Sequence, residues 1–542
     1  MDRRDFLRTA AMTAISMGLE ATGLGSGSEV HARTNDTFDT ILKNGIIYTG
    51  DGRTVIKGDV AFKDGKIAAI GKHLGKNAKK VIDVKGLAVS PGFIDLHSHT
   101  DSRLFRMPKG DSRIYQGVTT ELGGNCGDRS GVGKYPRTRD FLDALQASGI
   151  GINYASLVGH GDLRNKVVGP YNTPATKEQI ARMCKLLEEE LERGASGLSY
   201  GLEYAPGCYC NTEEMVALNK VVAKYNALYT IHMRNEADRV LEAMDEAIIA
   251  ARLSGARLEI SHLKAQNPAN FDKIDTMLGK IDSARMEGID IAFDRYPYTA
   301  FSTGLTNLIP REMRAGHKAD ILARLNDPQT CASMREWCLY RMKEFGGAQQ
   351  VCIAACSKPE NAVFSGKNIA ECCRISGLDE WEMVRHLLIS ENLSVNQITF
   401  AMKEENLEKI YAHPLSMPIS DGSVESPEVT GSSMPHPRAY GTFPRFFEKY
   451  VREKHIVDMP TAIYKCTALP ASRLRLKDRG MLIPGYAADV TVFNPDTIAD
   501  IATYANPHQF PTGICHVFVN GIQAIENGTH TGNIAGQVIF LQ

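Results

Sequence analysis

The two ends of the chain show short runs in which apolar and polar residues alternate. Between Phe38 and Ser90, the segment FDTILKNGIIYTGDGRTVIKGDVAFKDGKIAAIG contains Asn-Gly and Asp-Gly turns that separate four or five predicted strands. The C-terminal segments GMLIPGYAADVTVFNP and CHVFVNGIQAIENGTHTGNIAGQVIFL have the same character. We therefore expect residues 33–90 and 479–542 to form together one small β-sandwich domain.

Residues 91–478 have a different pattern, in which apolar strand-like runs alternate with longer helical patterns. Such alternation is typical of βα units with a parallel sheet. Eight runs predict an α/β fold, a (β/α)8 TIM-like barrel. The segment between Tyr298 and Ser416 is too long for one helix, so we expect an insertion there that holds both tryptophans. The eight runs are GFIDLHS, VTTELGGN, NYASLVGHG, ASGLSYGLEY, ALYTIHMR, RLEISHLK, IDIAFDRYPY and LSMPISDGS.

Residues 1–32 carry the features of an export signal. Arg3 and Arg4 are paired, an apolar run of small residues follows, and Val30 and Ala32 form a small-residue cleavage pattern. This pattern is typical of a twin-arginine signal peptide, and a frayed N-terminal helix is the weaker interpretation. It predicts transient contact with the twin-arginine machinery and an exported, periplasmic protein. No run of about 18 apolar residues predicts stable membrane insertion.

The composition is that of a globular enzyme. The chain has 542 residues, of which 43% are hydrophobic and 23% charged, and its formal net charge is -1. This balance argues against a nucleic-acid binder, which would show a basic face. The spacing of the 12 cysteines leaves disulfide pairing undecided, and the oligomeric state also stays open.

Residues able to bind a metal fall at the C-terminal ends of five predicted strands. Because these ends meet on one face of a barrel, we expect the side chains to converge there. Nitrogen, thiolate and carboxylate ligands together favour zinc over magnesium or calcium, although iron or cobalt would also fit. The residues are His97, His99, Cys126, His232, His262 and Asp421.

Two of these residues also have ordinary structural interpretations. Cys126 could be a small buried thiol, but it stands in the polar, glycine-rich loop GGNCGD at a strand end. Asp421 could be a turn aspartate before Gly422. At the end of the eighth strand we instead expect Asp421 to take a proton from a zinc-activated water and deliver it to a leaving nitrogen.

The motifs in this order resemble the D-aminoacylase (N-acyl-D-amino-acid deacylase) family of the amidohydrolase superfamily. The resemblance extends from about Phe38 to the C-terminus and implies a metal-dependent hydrolase barrel with zinc as cofactor. It implies cleavage of the amide bond of a small N-acyl-D-amino acid, with a lid-like insertion at about 300–362. The matching stretches include SPGFIDLHSHTD, GVTTELGGNCG, GHGDLRNKVVG, GLSYGLEYAPGCYCNTEEM, TIHMRNE, EISHLKA, FDRYPYTAFSTGL, ISDGS and HPRAYGTFPR.

The resemblance also implies roles for particular residues. Cys126, His232 and His262 would hold the tight zinc, whereas His97, His99 and Asp421 would form a weaker second position that Cys126 can bridge. Four residues would contact the substrate: Lys264, Tyr296 and Ser302 would bind its carboxylate, and Tyr204 would lie on the substrate-facing strand end. Arg438 matches a motif but receives no role. The sequence departs from the family at Leu263, where a second histidine is frequent.

Two other functions remain open at this point. A cyclic-amide hydrolase, such as a hydantoinase or dihydroorotase, would bridge two metals with a carboxylated lysine on the fourth strand, but GASGLSYGLEYAPG contains no lysine. Glu203 could serve as the bridge instead. An exported barrel that binds a ligand without catalysis would be expected to lose ligands or the base, and this chain keeps every one.

Overall fold

The computed structural model describes residues 37–128, 134–431 and 433–540. The predicted signal peptide at 1–32 lies outside the described residues. In the described part of the chain, no helix combines the length and the apolar character needed to cross a membrane. All twelve cysteines are described, and none forms a disulfide.

Twenty-one strands form four sheets in the described residues. In chain order the strands are β1 (Phe38–Tyr48), β2 (Val55–Lys63), β3 (Lys66–Gly71), β4 (Ala78–Asp83), β5 (Ala88–Pro91), β6 (Phe93–Asp95), β7 (Val118–Gly123), β8 (Asn153–Ser156), β9 (Val158–Gly159), β10 (Gly197–Gly201), β11 (Leu228–His232), β12 (Arg257–Ile260), β13 (Ile291–Arg295), β14 (Ala300–Gly304), β15 (Val351–Ala355), β16 (Asn396–Phe400), β17 (Ser416–Pro418), β18 (Val490–Phe493), β19 (Ile514–Val519), β20 (Ile522–Glu526) and β21 (Thr529–His530).

The α-helices connect these strands, and a π-helical segment, Phe446–Glu453, continues one of them. They are α1 (Asp111–Ile114), α2 (Thr138–Ser148), α3 (His160–Val167), α4 (Lys177–Glu192), α5 (Thr212–Lys224), α6 (Val240–Ser254), α7 (Ile274–Met286), α8 (Lys318–Asn326), α9 (Pro328–Phe345), α10 (Ile369–Ser376), α11 (Glu380–Ser390), α12 (Glu404–Ala412), α13 (Pro427–Thr430), α14 (Arg438–Arg445), α15 (Met459–Cys466) and α16 (Ala468–Leu474).

The eight predicted runs are the parallel strands of a barrel. Strands β6, β7 and β8 pair in parallel, and β9 to β13 pair in parallel and end on β17. The third run holds both β8 and β9, separated only by Leu157. The barrel closes between its first and last strands, because the amide of Asp421 donates to the carbonyl of His97 over 2.9 Å and that of His99 donates to Gly422 over 2.8 Å. The predicted (β/α)8 fold is confirmed.

Sequences from both ends of the chain form one nine-stranded sheet. Its order is β21-β20-β19-β18-β5-β1-β2-β3, with β4 paired to β1. The alternation that predicted these strands is visible in the second half of β1, where Ile47 is fully buried and its neighbours Ile46 and Tyr48 are partly exposed. The two ends therefore meet as expected, and the boundaries at 90 and 478 stay predictions.

The insertion between β13 and β17 contains a three-stranded antiparallel sheet in the order β14-β16-β15. This sheet and its helices reach Phe400, beyond the expected end at about 362. Helix α9 begins at Pro328, and the Asp327 side chain caps it by accepting from the amides of Gln329 and Thr330. Because β14 follows β13 after only four residues, the insertion starts directly at the rim of the barrel.

Candidate metal centre and substrate cavity

The predicted ligand residues all lie at the carboxyl ends of barrel strands. A parallel strand is buried on both faces, so polar side chains accumulate where the strand ends and the chain turns. His97 and His99 follow β6, Cys126 follows β7, His232 ends β11, His262 follows β12, and Asp421 follows β17. The structure brings all six together.

The Cys126 sulfur lies at the centre of three imidazole rings. Its Sγ is 3.3 Å from His97 Nε2, 3.8 Å from His232 Nδ1 and 3.6 Å from His262 Nε2. Zinc bonds of about 2.3 Å to sulfur and 2.0 Å to nitrogen, at a tetrahedral angle, separate the two ligand atoms by about 3.5 Å. The donor set and its spacing therefore fit zinc, and Cys126, His232 and His262 form one group that could hold it.

A second group shares the same cysteine. Asp421 Oδ1 is 3.0 Å from His99 Nε2 and 3.4 Å from His97 Nε2. His97, His99, Cys126 and Asp421 thus form another set of ligand atoms close enough to hold an ion. Cys126 belongs to both groups, and the tight and weaker positions stay predictions.

Three of these residues have strained backbones. Cys126, His262 and Asp421 have φ values of 54°, 36° and 47°. Non-glycine residues in this region cost about 1–3 kcal/mol each and persist only where neighbours hold them, frequently at functional sites. The His262 amide is held by Asp294 Oδ1 at 2.5 Å, and the Asp421 amide by the carbonyl of His97.

Carboxylates stand behind the rings, on the side away from Cys126. Glu203 Oε2 is 3.1 Å from His232 Nε2, and Glu236 Oε1 is 3.1 Å from His262 Nδ1. Asp294 Oδ2 is 3.6 Å from His97 Nδ1. Glu236 and Asp294 were not among the predicted site residues. Their positions near strand ends, in TIHMRNE and IDIAFDRYPY, are the sequence feature that could have indicated them.

The surroundings favour the charged forms of the anionic residues. Burial alone would raise the pKa of the Cys126 thiol, but His97 and the hydrogen bonds to His232 and His262 hold that pKa well below its usual value. Burial likewise opposes ionisation of Asp421, but the Arg438 guanidinium and His262 keep its pKa well below the usual range. Thiolate and carboxylate are the forms that bind a metal.

The predicted substrate residues Lys264, Tyr296, Ser302 and Tyr204 all line one cavity at the rim, with a volume of about 780 Å³. The Tyr204 hydroxyl lies 3.2 Å from Thr303 Oγ1. The buried hydroxyl of Tyr296 has no hydrogen-bond partner among the described residues, so it is available to a ligand.

Arg438, which received no role from the sequence, also lines the cavity. Its guanidinium donates to Asp421 Oδ2 over 2.7 Å and to the Ser302 carbonyl over 3.3 Å. It also stacks on Tyr296, with its Cζ 4.6 Å from the ring centroid. The guanidinium therefore places a positive charge beside the predicted base and beside the predicted carboxylate-binding residues.

A closed parallel barrel with thiolate, imidazole and carboxylate ligands at its rim defines a class, the metal-dependent hydrolase barrels. The family model described as "Amidohydrolase family" matches residues 80–294 and 428–524. The chain belongs to this family, within its D-aminoacylase branch. The D-aminoacylase of Alcaligenes xylosoxydans xylosoxydans is 33% identical over 93% of this chain and 97% of its own length. The N-acyl-D-glutamate deacylase of the same organism is 34% identical over 90% and 93%.

Solved structures show the same relationship. A crystal structure of N-acyl-D-glutamate deacylase from Bordetella bronchiseptica, complexed with zinc and a phosphonate mimic of the tetrahedral intermediate, has a TM-score of 0.79 and 32% identity, covering 93% of this chain and all of that one. A D-aminoacylase structure has a TM-score of 0.78, 31% identity and coverage of 93% and 99%. The L-hydantoinase of Arthrobacter aurescens, at 15% identity and a TM-score of 0.53, covers 93% of this chain and all of that one and shares the fold alone.

Cys126→Ala should remove most of the bound zinc, because the thiolate belongs to both ligand groups. Metal analysis after dialysis against a weak chelator would measure this loss. Cys515→Ala, a half-buried cysteine on β19 far from the site in sequence, is the control and should keep wild-type zinc. Full zinc content in Cys126→Ala would show that the thiol is only a packing residue.

Proposed function

We propose that the protein is a zinc-dependent hydrolase that cleaves the amide bond of N-acyl-D-amino acids and releases a carboxylate and a free D-amino acid. The observation that carries this proposal is the convergence of Cys126, His232 and His262 beside Asp421, at the wall of a cavity that also presents Lys264 and Arg438. The names of the related deacylases support the choice of substrate and of its D configuration.

Each residue in the centre has a part in this reaction. When bound by Cys126, His232 and His262, zinc supplies Lewis-acid polarisation of the scissile carbonyl and lowers the pKa of a water. Asp421 accepts the proton of the attacking water and delivers it to the departing nitrogen, so that the carboxylate is restored. His97, His99 and Asp421 would hold a second metal ion more weakly.

The substrate carboxylate would lie among Lys264, Tyr296, Ser302 and Arg438. The two cations attract it, and the free Tyr296 hydroxyl donates a hydrogen bond to it. Tyr204, whose ring is 4.9 Å from that of His232, lies beside the reacting amide and shields it. Anchoring one end of the substrate fixes the scissile bond against the metal centre.

The chain should hydrolyse N-acetyl-D-methionine far faster than its L enantiomer or hydantoin, as measured by release of the free amino group or ring opening.

Asp421→Asn should lower kcat by about 10²–10⁴-fold, the usual contribution of a general base, while zinc content stays near normal. Asp496→Asn, an exposed surface change, is the matched control. A wild-type rate in Asp421→Asn would rule out this base, and preference for hydantoin would favour the cyclic-amide alternative.

Tyr296→Phe should raise KM for substrates with a free carboxylate by about tenfold, because a hydrogen bond to a charged group contributes about 1.5–3 kcal/mol. The melting temperature should not fall, since the hydroxyl has no hydrogen-bond partner in the part of the chain that the structure describes. Steady-state kinetics on an N-acetyl-D-amino acid and its methyl ester would test this role. An equal rise in KM for both substrates would contradict it.

We also propose that the protein is exported, from the twin-arginine pattern at Arg3 and Arg4. Export in the folded state would allow metal binding before the chain crosses the membrane. The location of the protein after cell fractionation, with and without substitution of both arginines by lysine, would decide this point.

A further inference from the structure

The buried Glu236 carboxylate contacts a candidate metal ligand, His262, and two neighbouring side chains, Lys264 and Gln266. Glu236 follows β11 by four residues, and its side chain is only 2% exposed. Its Oε1 is 2.5 Å from Lys264 Nζ and 3.1 Å from His262 Nδ1. Its Oε2 accepts from Gln266 Nε2 over 2.8 Å and lies 3.8 Å from His232 Nε2.

Both histidines turn one nitrogen to Cys126 and the other to a carboxylate. His262 presents Nε2 to the sulfur and Nδ1 to Glu236, whereas His232 presents Nδ1 to the sulfur and Nε2 to Glu203, with Glu236 farther away at 3.8 Å. A neutral imidazole has one N–H and one lone pair. For the lone pair to point toward the centre, the N–H must be on the outer nitrogen, and it then requires an acceptor there.

Lys264 competes for the outer nitrogen of His262. Its ammonium, which can only donate, is 2.7 Å from His262 Nδ1. If it donated to this nitrogen, the N–H of the ring would have to sit on Nε2, which faces Cys126. The ring could then no longer offer a lone pair to the centre. Glu236 Oε1 provides the anionic acceptor that both the lysine and the ring N–H require.

We propose that Glu236 is a positioning residue that holds His262 in the tautomer able to bind the metal, and that keeps the Lys264 ammonium from reversing that tautomer. The inference rests on the zinc-dependent function proposed above. Glu236 and Lys264 form one ion pair but have opposite effects on the His262 ring. Glu236 accepts the N–H of Nδ1, whereas Lys264 can only donate to that nitrogen.

The test compares Glu236→Gln with Lys264→Met. Each variant breaks the same buried ion pair, but only Glu236→Gln removes the anionic acceptor. Zinc affinity, measured by competition with a chromophoric chelator, should fall by about 10–100-fold in Glu236→Gln and change little in Lys264→Met. Glu236→Asp, which keeps the charge, should recover part of the loss.

Melting temperatures of the metal-free variants separate misfolding from weak binding. Equal losses of zinc affinity in Glu236→Gln and Lys264→Met would show that the ion pair alone matters and would overturn the inference. Wild-type affinity in Glu236→Gln would overturn it as well. A zinc-loaded wild type without deacylase activity would instead contradict the proposed function and leave the affinity comparison valid.

The walls of the cavity carry an independent inference about the substrate. Apart from glycines, only three of the described residues that line the cavity have side chains without nitrogen, oxygen or sulfur. They are Ala205, Pro206 and Phe301. Ligand pockets are usually lined mainly by apolar groups, so this composition is unusual. An apolar substrate side chain would remove water from polar groups without replacing their hydrogen bonds.

The charges on these walls limit the choice further. Each of the three lining cations already has a carboxylate partner: Lys264 pairs with Glu236, Arg438 with Asp421, and Arg103 with Glu425. The first two are also assigned to the α-carboxylate, so none is left for a second anionic group. The Glu203 carboxylate also faces the cavity, where it accepts from Asn307 Nδ2 over 3.1 Å. We infer that the preferred substrates, within the proposed function, are N-acyl-D-amino acids whose side chains form hydrogen bonds and carry no negative charge.

Values of kcat/KM for N-acetyl-D-glutamine and N-acetyl-D-serine should exceed those for the D-leucine and D-glutamate derivatives by about tenfold or more. Asn396→Leu, at the exposed edge of the cavity, should narrow the difference from leucine. A preference for leucine or glutamate would overturn the inference while the proposed function stands. Absence of turnover with every N-acetyl-D-amino acid would overturn both.

Discussion

Closure of the parallel barrel between its first and last strands is the constraint on which the site depends. The bonds that join the segment after β6 to the segment after β17 place His97 and His99 against Asp421, more than 300 residues away in the chain. These bonds fix the position of the predicted base beside the Cys126, His232 and His262 group. Barrel geometry therefore assembles metal ligands and base in one step.

This assembly is unfavourable taken alone, and the protein compensates for it locally. Cys126, His262 and Asp421 have left-handed backbones. The anionic side chains of Cys126 and Asp421 also place their ligand atoms within 4.8 Å of each other. Each anion has positive or donating neighbours, Arg438 for Asp421 and the imidazoles for Cys126. Removing one member of such a cluster leaves its partner buried and unpaired, which costs more than the lost contact. The charges of the site therefore compensate one another and help to hold it in place.

The fold and the ligand residues could be predicted from the sequence because their signals are local. An apolar run followed by a polar residue marks the end of a buried strand, and His97, Cys126 and His262 each stand at such an end. For Glu236 and Asp294 the sequence offers only their position near strand ends, because the imidazole nitrogen that each carboxylate faces depends on the folded structure. The pairing of β14 with β16 joins segments about 95 residues apart, so no local signal in the sequence announces it, and the bounds of the insertion stay a prediction.

Arg438 shows why the catalytic and substrate-binding residues are not independent parts. One guanidinium bonds to Asp421, bonds to the carbonyl of Ser302 on the first strand of the insertion, and stacks on Tyr296. The insertion is thus tied to the base through a single side chain. Any shift of β14 would move Arg438 and with it the charge that keeps Asp421 ionised. A change in the length of the insertion would leave the surroundings of Asp421 intact only if β14 kept its position. Strand β14 follows β13 closely, and this short connection anchors it at the rim of the barrel.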